Sequence, residues 1–128
     1  MERFEDAEAF LRRALDLQSS LAQRFPEVLA YRMQTTKLEY TLARLLREQG
    51  QLESARSLLE SSVVRLEEVV DVETTAWPVG WILSLHYSEL VELLGEMNEL
   101  EAVIAVQRRA EEHGVELSGR PPRRRGGR

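Results

Sequence analysis

Lys37, Tyr40, Arg44 and Arg47 recur at i, i+3, i+7 and i+10, a spacing that puts all four on one face of a helix. That face lies away from the Leu38, Leu42 and Leu45 stripe of the same segment. Arginine offers forked N–H donors that match a carboxylate and tyrosine a flat apolar contact, so the strip suits an acidic peptide or a carboxylate group. An ordinary solvated face is the competing reading, held by helix ion pairs such as Arg44 with Glu48. On a later segment the corresponding face carries Leu85, Ser88, Glu92 and Glu96. A ligand there would meet apolar and acidic groups, with Glu92 as the candidate contact. Trp77 and Trp81 read either as a contact patch or as a wedge that buries the chain break around them.

Other chemistry is poorly supplied. The sequence has no cysteine and only two histidines, so disulfides, thiol nucleophiles and cysteine-ligated zinc are excluded. Neither His86 nor His113 has a second imidazole at ligand spacing, and no metal site is expected. His86 is expected to be a half-buried packing residue. His113 suits a helix carboxyl end, where its positive charge is favoured. Glutamate pairs such as Glu67-Glu68 and Glu111-Glu112 are adjacent and face different ways, so they form no catalytic dyad. No phosphate loop, nucleophile elbow or nucleophile–base pair is present. Neither enzymatic activity nor a cofactor is expected.

Helices must position these residues. Leu, Glu, Arg and Ala dominate a composition that is 43% hydrophobic but only 6% aromatic, which fits an all-helical chain. Phe4, Ala7, Leu11, Ala14, Leu15, Leu17 and Leu21 mark a first amphipathic helix over residues 4–24. Phe25-Pro26 ends it, and a second helix is expected to start at the proline and run to Gly50. Gly50 is a left-handed stop. A third helix follows over residues 51–70 with Leu52, Ala55, Leu59, Val63, Leu66 and Val70 on one face. The Val69, Val70, Val72, Thr74, Thr75 cluster reads as its fraying end. Residues 74–80 break the pattern, and a fourth helix resumes at about Pro78 or Trp81 and passes through Leu83, Leu90 and Leu94. After a turn at 95–98 a fifth helix covers 99–113 and stops before Gly114. Such short connections make neighbouring helices antiparallel.

The helices repeat. Phe4, Leu52 and Leu100 stand 48 residues apart, as do Ala7, Ala55 and Val103; Leu11, Leu59 and Gln107; and Ala14, Ser62 and Ala110. Leu42, Ala43, Leu45, Leu46 and Gly50 match Leu90, Val91, Leu93, Leu94 and Asn98 at the same interval. The block Leu42, Ala43, Leu46, Gly50, Leu52, Ala55, Leu59, Ser62, echoed by Leu90, Leu94, Leu100 and Ala110, resembles the tetratricopeptide repeat. Its signature is a large-then-small pair, a glycine turn, and two small residues seven apart. The period exceeds the usual repeat of about 34. Phe25-Pro26-Glu27-Val28 with Tyr31-Arg32 is similar to long repeats of planctomycete-type proteins, often found downstream of serine/threonine kinase domains. Val91, Val103 and Gln107 depart from the pattern, so the last repeat is expected to pack loosely or to act as a polar cap.

The resemblance implies an all-α, right-handed solenoid of about five helices forming antiparallel hairpin repeats over 1–113. It also implies a non-enzymatic scaffold that binds a peptide or partner helix in a groove. Thr41 and Arg44 stand where chaperone-binding members carry carboxylate-clamping asparagines, so chaperone binding is not expected. The chain opens on a second-type helix, which suggests either a piece of a longer array or a homodimer closed through that helix. A regulatory region of a larger signalling protein, such as a serine/threonine kinase, is an alternative.

Net charge is −5, unevenly spread: five arginines and one glutamate follow position 113, leaving 12 basic and 21 acidic residues, a net −9, before it. An acidic body repels phosphate backbones. Weak nucleic-acid binding would fall to the Arg/Pro/Gly-rich tail at 114–128, which is expected to be disordered. No signal peptide or membrane span is evident, and a cytoplasmic protein is expected.

Overall fold

The computed structural model describes residues 2–72, 77–115 and 117, and the side chains of these except 2, 70–72, 77 and 78. Among them all regular structure is helical: α1 (Glu2–Arg24), α2 (Leu29–Glu48), α3 (Leu52–Val72), α4 (Trp77–Glu96) and α5 (Leu100–Glu112). Residues 73–76, 116 and the tail from 118 onward lie outside the described residues; of the break predicted at 74–80, residues 77–80 instead belong to α4, which begins at Trp77. The chain divides into two compact units, Met1–Ser62 and Val63–Arg128, the division falling within α3.

In the first unit α1 packs against α2. The core of this unit includes Leu42, Ala43, Leu46, Ala55 and Leu59, all essentially without solvent contact. Ala43 and Ala55 are small where helices approach closely, as dense packing requires. Ser62, also fully buried, donates its hydroxyl to the Glu39 carboxylate of α2. This bond supplies a partner for a carboxylate that is itself buried. α2 begins at Leu29 rather than at Pro26. Pro26 is held in a turn closed by the Val28 N–H on the Phe25 carbonyl at 3.0 Å. The Phe25 and Tyr31 rings meet edge to face across that turn, 6.1 Å apart, so aromatic packing fixes the chain direction before the helix starts.

In the second unit α4 packs against α5. Leu83, Tyr87, Leu90, Leu93 and Leu94 of α4 are fully buried, joined by Val63 and Leu66 of α3 and by Val106 and Ala110 of α5. His86 is completely buried rather than half-buried, with Nδ1 2.9 Å from the Ile82 carbonyl one turn earlier. The looser positions are those that depart from the repeat. Val91 and Val103 are half-buried and Gln107 exposed, whereas their counterparts Ala43, Ala55 and Leu59 are sealed. Leu100, placed in the repeat signature, is 66% exposed.

The 48-residue interval is visible in the backbone. Gly50 has φ +82° and Asn98 φ +62°, and each ends its helix with the same pair of bonds. Gly50 N–H donates to Arg47 O and Gln51 N–H to Leu46 O; Asn98 N–H donates to Gly95 O and Glu99 N–H to Leu94 O. This is the left-handed cap in which two carbonyls left open by the helix end find donors. Gly114 repeats it after α5 at φ +67°. A Cβ at Gly50 would meet nothing within 4 Å, so its conformation alone sets the cost of a side chain. Gly50→Ala is expected to lower stability by about 1 kcal/mol. Urea denaturation checks this, and an unchanged midpoint would show the cap to be dispensable.

Candidate functional site

The basic strip stands on α2 in the first unit. Lys37 and Arg44 are exposed and Tyr40 and Arg47 half-buried. The Arg44 guanidinium carbon lies 5.7 Å from the Tyr40 ring centroid, within cation–π range. This contact sets a guanidinium beside a flat aromatic ring. Thr41 donates its hydroxyl to the Lys37 carbonyl at 3.1 Å, so it points along its own helix.

Next to the strip an open groove of about 360 Å³ runs between α1 and α2, lined by Ala7, Leu11, Thr41, Arg44, Leu45 and Glu48. Its wall is aliphatic on the α1 side and mixed on the α2 side. Arg44 belongs to both features. Helix periodicity alone could not reveal the groove, since Ala7 and Leu11 read only as core positions of an amphipathic helix. Their side chains are half-buried, and Thr41, Arg44, Leu45 and Glu48 of α2 line the space beside them.

On α4 of the second unit, Glu92 and Glu96 are exposed and Leu85 and Ser88 half-buried. The Ser88 hydroxyl donates to the Leu117 carbonyl at 3.1 Å. The face expected to meet a ligand thus meets the backbone carbonyl of Leu117. Trp81 is half-buried, and the side chain of Trp77 lies outside the described residues.

A polar cluster that sequence inspection missed sits elsewhere in the second unit. Glu67 of α3 accepts bonds from Arg109 Nε at 3.0 Å and Nη2 at 2.8 Å. The Tyr87 hydroxyl of α4 also donates to it, and His113 Nε2 lies 3.8 Å away. Burial alone would raise the Glu67 pKa, but it is outweighed by the hydrogen bonds from Arg109 and Tyr87 and by the nearby charge of Arg109 and His113. The carboxyl therefore sits below its ordinary 4.5. A forked arginine on a carboxylate is the strongest geometry such a pair adopts. The cluster ties three helices together, its carboxylate engaged by Arg109 of α5 and Tyr87 of α4. The one sequence signal was a glutamate interrupting the Val63, Leu66, Val70 stripe. His113 caps α5, its N–H on the Arg109 carbonyl.

Among the described residues no group of three or more His, Asp or Glu side chains could hold a metal ion, and no helix is long and apolar enough to cross a membrane. No protein-family model matches the sequence, and no curated protein or solved structure shows significant similarity to it.

Proposed function

We propose that this chain is a non-enzymatic protein-interaction module of the tetratricopeptide type, and that the α1–α2 face of its first unit takes an acidic peptide. The observation that carries the reading is the adjacency of Arg44, stacked near Tyr40, to an aliphatic groove lined by Ala7, Leu11 and Leu45. A peptide bearing a carboxylate and an aliphatic side chain one or two residues apart satisfies both at once. The carboxylate takes the Arg44 fork with Lys37 and Arg47 on either side, and the aliphatic group enters the groove. Support for the repeat architecture comes from the matching left-handed caps at Gly50 and Asn98 and from the burial of Ser62 and Ala110 at equivalent positions.

The test uses short fluorescein-labelled peptides in which glutamates flank a leucine, beside versions carrying glutamine or lysine in place of glutamate. The glutamate peptide is expected to bind best, and its affinity to fall as salt is raised, because exposed charges are screened. Arg44→Ala is expected to weaken binding about tenfold, the effect of losing one charge-assisted hydrogen bond of about 1.4 kcal/mol. Equal binding of the three peptides, or an Arg44→Ala variant with unchanged affinity in fluorescence anisotropy, would sink the reading.

A further inference from the structure

The chain does not leave the helical body where α5 ends. After the left-handed turn at Gly114, the Val115 N–H donates to the Ala110 carbonyl at 2.8 Å, and the Leu117 carbonyl accepts the Ser88 hydroxyl of α4 at 3.1 Å. Val115 and Leu117 are both half-buried. This course has a direction. α5 follows α4 after a three-residue turn and packs on it, so the two run antiparallel. The thirteen residues of α5 cover about 20 Å at about 1.5 Å each, which brings the end of α5 level with the first half of α4. Leu117, back at Ser88, has turned toward the carboxyl end of α4. Along that line Glu92 and Glu96 follow Ser88 at i+4 and i+8, on the same face and about 6 and 12 Å further on.

What the chain meets there is negative. Residues 63–113 hold three basic and eleven acidic residues, a net −8, against nine and ten, a net −1, for residues 1–62. The acidity of the body is thus almost all in the unit from which the tail emerges. Glu92 and Glu96 are exposed and, one turn apart, repel each other. They also stand near the helix end where the backbone dipoles are negative, and the last turn of α4 has no basic residue. Residues 118–128 have the opposite character, with five arginines and no acid.

We propose that residues 118–128 lie along the carboxyl half of α4 and cover its acidic face, with Arg120 at Glu92 and Glu96. Reach and register agree. Three residues of extended chain carry Leu117 to Arg120 over about 10 Å, a span that ends between the two glutamates. Pro121 and Pro122 keep the chain extended. The arginines at 123–125 then pass on to the turn between α4 and α5, where Glu99 and Glu101 are exposed. Weak contacts suffice, because a segment tethered a few residues from its site meets it at an effective concentration of the order of millimolar. Docked there, the tail bars the outer face of α4 to other basic ligands and holds its arginines away from phosphate.

The experiment is paramagnetic relaxation enhancement on the full chain. The sequence has no cysteine, so Gly126→Cys carries a single nitroxide. Amide signals of residues 92–101 are expected to be attenuated, and those of α1 to be unaffected. Glu92→Gln with Glu96→Gln is expected to relieve the attenuation severalfold, with helical circular dichroism unchanged because both side chains are exposed. Salt at about 1 M, where charges are screened beyond about 3 Å, is expected to do the same. Glu111→Gln with Glu112→Gln removes the same charge from exposed positions of α5 and is expected to leave the attenuation in place. Attenuation indifferent to the Glu92 and Glu96 substitutions, spread evenly over all helices, or confined to the first unit overturns the proposal. So does attenuation that passes from an unlabelled, nitroxide-bearing chain to an isotope-labelled chain mixed with it, since a second copy is then the site.

Discussion

A Leu90→Ala variant is expected to lose about 3 kcal/mol of stability, while Leu100→Ala changes it by less than about 0.5 kcal/mol. Leu90 has no solvent contact and Leu100 is 66% exposed. Truncating the first removes apolar atoms from a packed core and leaves a void that the surrounding side chains only partly refill. Truncating the second trims a side chain that mostly faces water at the first turn of α5. Against a total stability of about 5–15 kcal/mol, the Leu90 loss is a large share. Leu42, its counterpart in the first unit and 1% exposed, is expected to behave like Leu90. Urea titration with a helical signal separates the outcomes. Equal costs at Leu90 and Leu100 would mean that burial, as described, does not govern stability in this chain.

The contrast between these leucines marks where sequence reasoning works and where it stops. Both fit the repeat register equally well, because periodicity reports which side of a helix a residue occupies. It does not report whether anything packs there. The helix turns were legible because Gly50 and Gly114 must adopt a left-handed conformation to end a helix, and the 48-residue interval carried that inference to Asn98, a residue type that tolerates it. The start of α2 was misplaced by three residues because a backbone turn closed between Phe25 and Val28 holds Pro26 before the helix begins, and proline is as much at home in such a turn as in a helix's first turn. Sites assembled from distant positions were the least visible. Glu67 and Arg109 are 42 residues apart and Glu67 and Tyr87 are 20 apart, so only the folded chain shows that a glutamate in an apolar stripe has found its partners. The groove beside Arg44 belongs to the same class, since a space between two helices is not a property of either.

Glu67→Gln is expected to cost about 2 kcal/mol at neutral pH, in the range for hydrogen bonds to a charged group. The lower part of that range is appropriate because the Arg109 side chain is 36% exposed and its pairing is weakened by solvent. Glutamine keeps the shape and one acceptor, so packing in the cluster is preserved and the loss reports mainly on charge. The pH dependence provides the more specific signature. The folded-state pKa of Glu67 lies below its ordinary 4.5, so the folded state holds the ionised form more favourably than the unfolded chain does. Its contribution is complete above about pH 4.5 and is lost as pH falls from there through the lowered folded value, where the unfolded chain takes up the proton first. The stability gap between the natural chain and Glu67→Gln is therefore expected to close as pH falls below about 5. Once protonated, Glu67 resembles the glutamine that replaces it. Glu68, exposed beside it, is the control: Glu68→Gln is expected to show no such closing gap. Denaturation midpoints for the three proteins at a series of pH values decide the matter. Parallel curves for Glu67→Gln and the natural chain through the acid range would show that the carboxylate draws no net stabilisation from Arg109 and Tyr87, leaving α5 held to α4 by apolar packing alone.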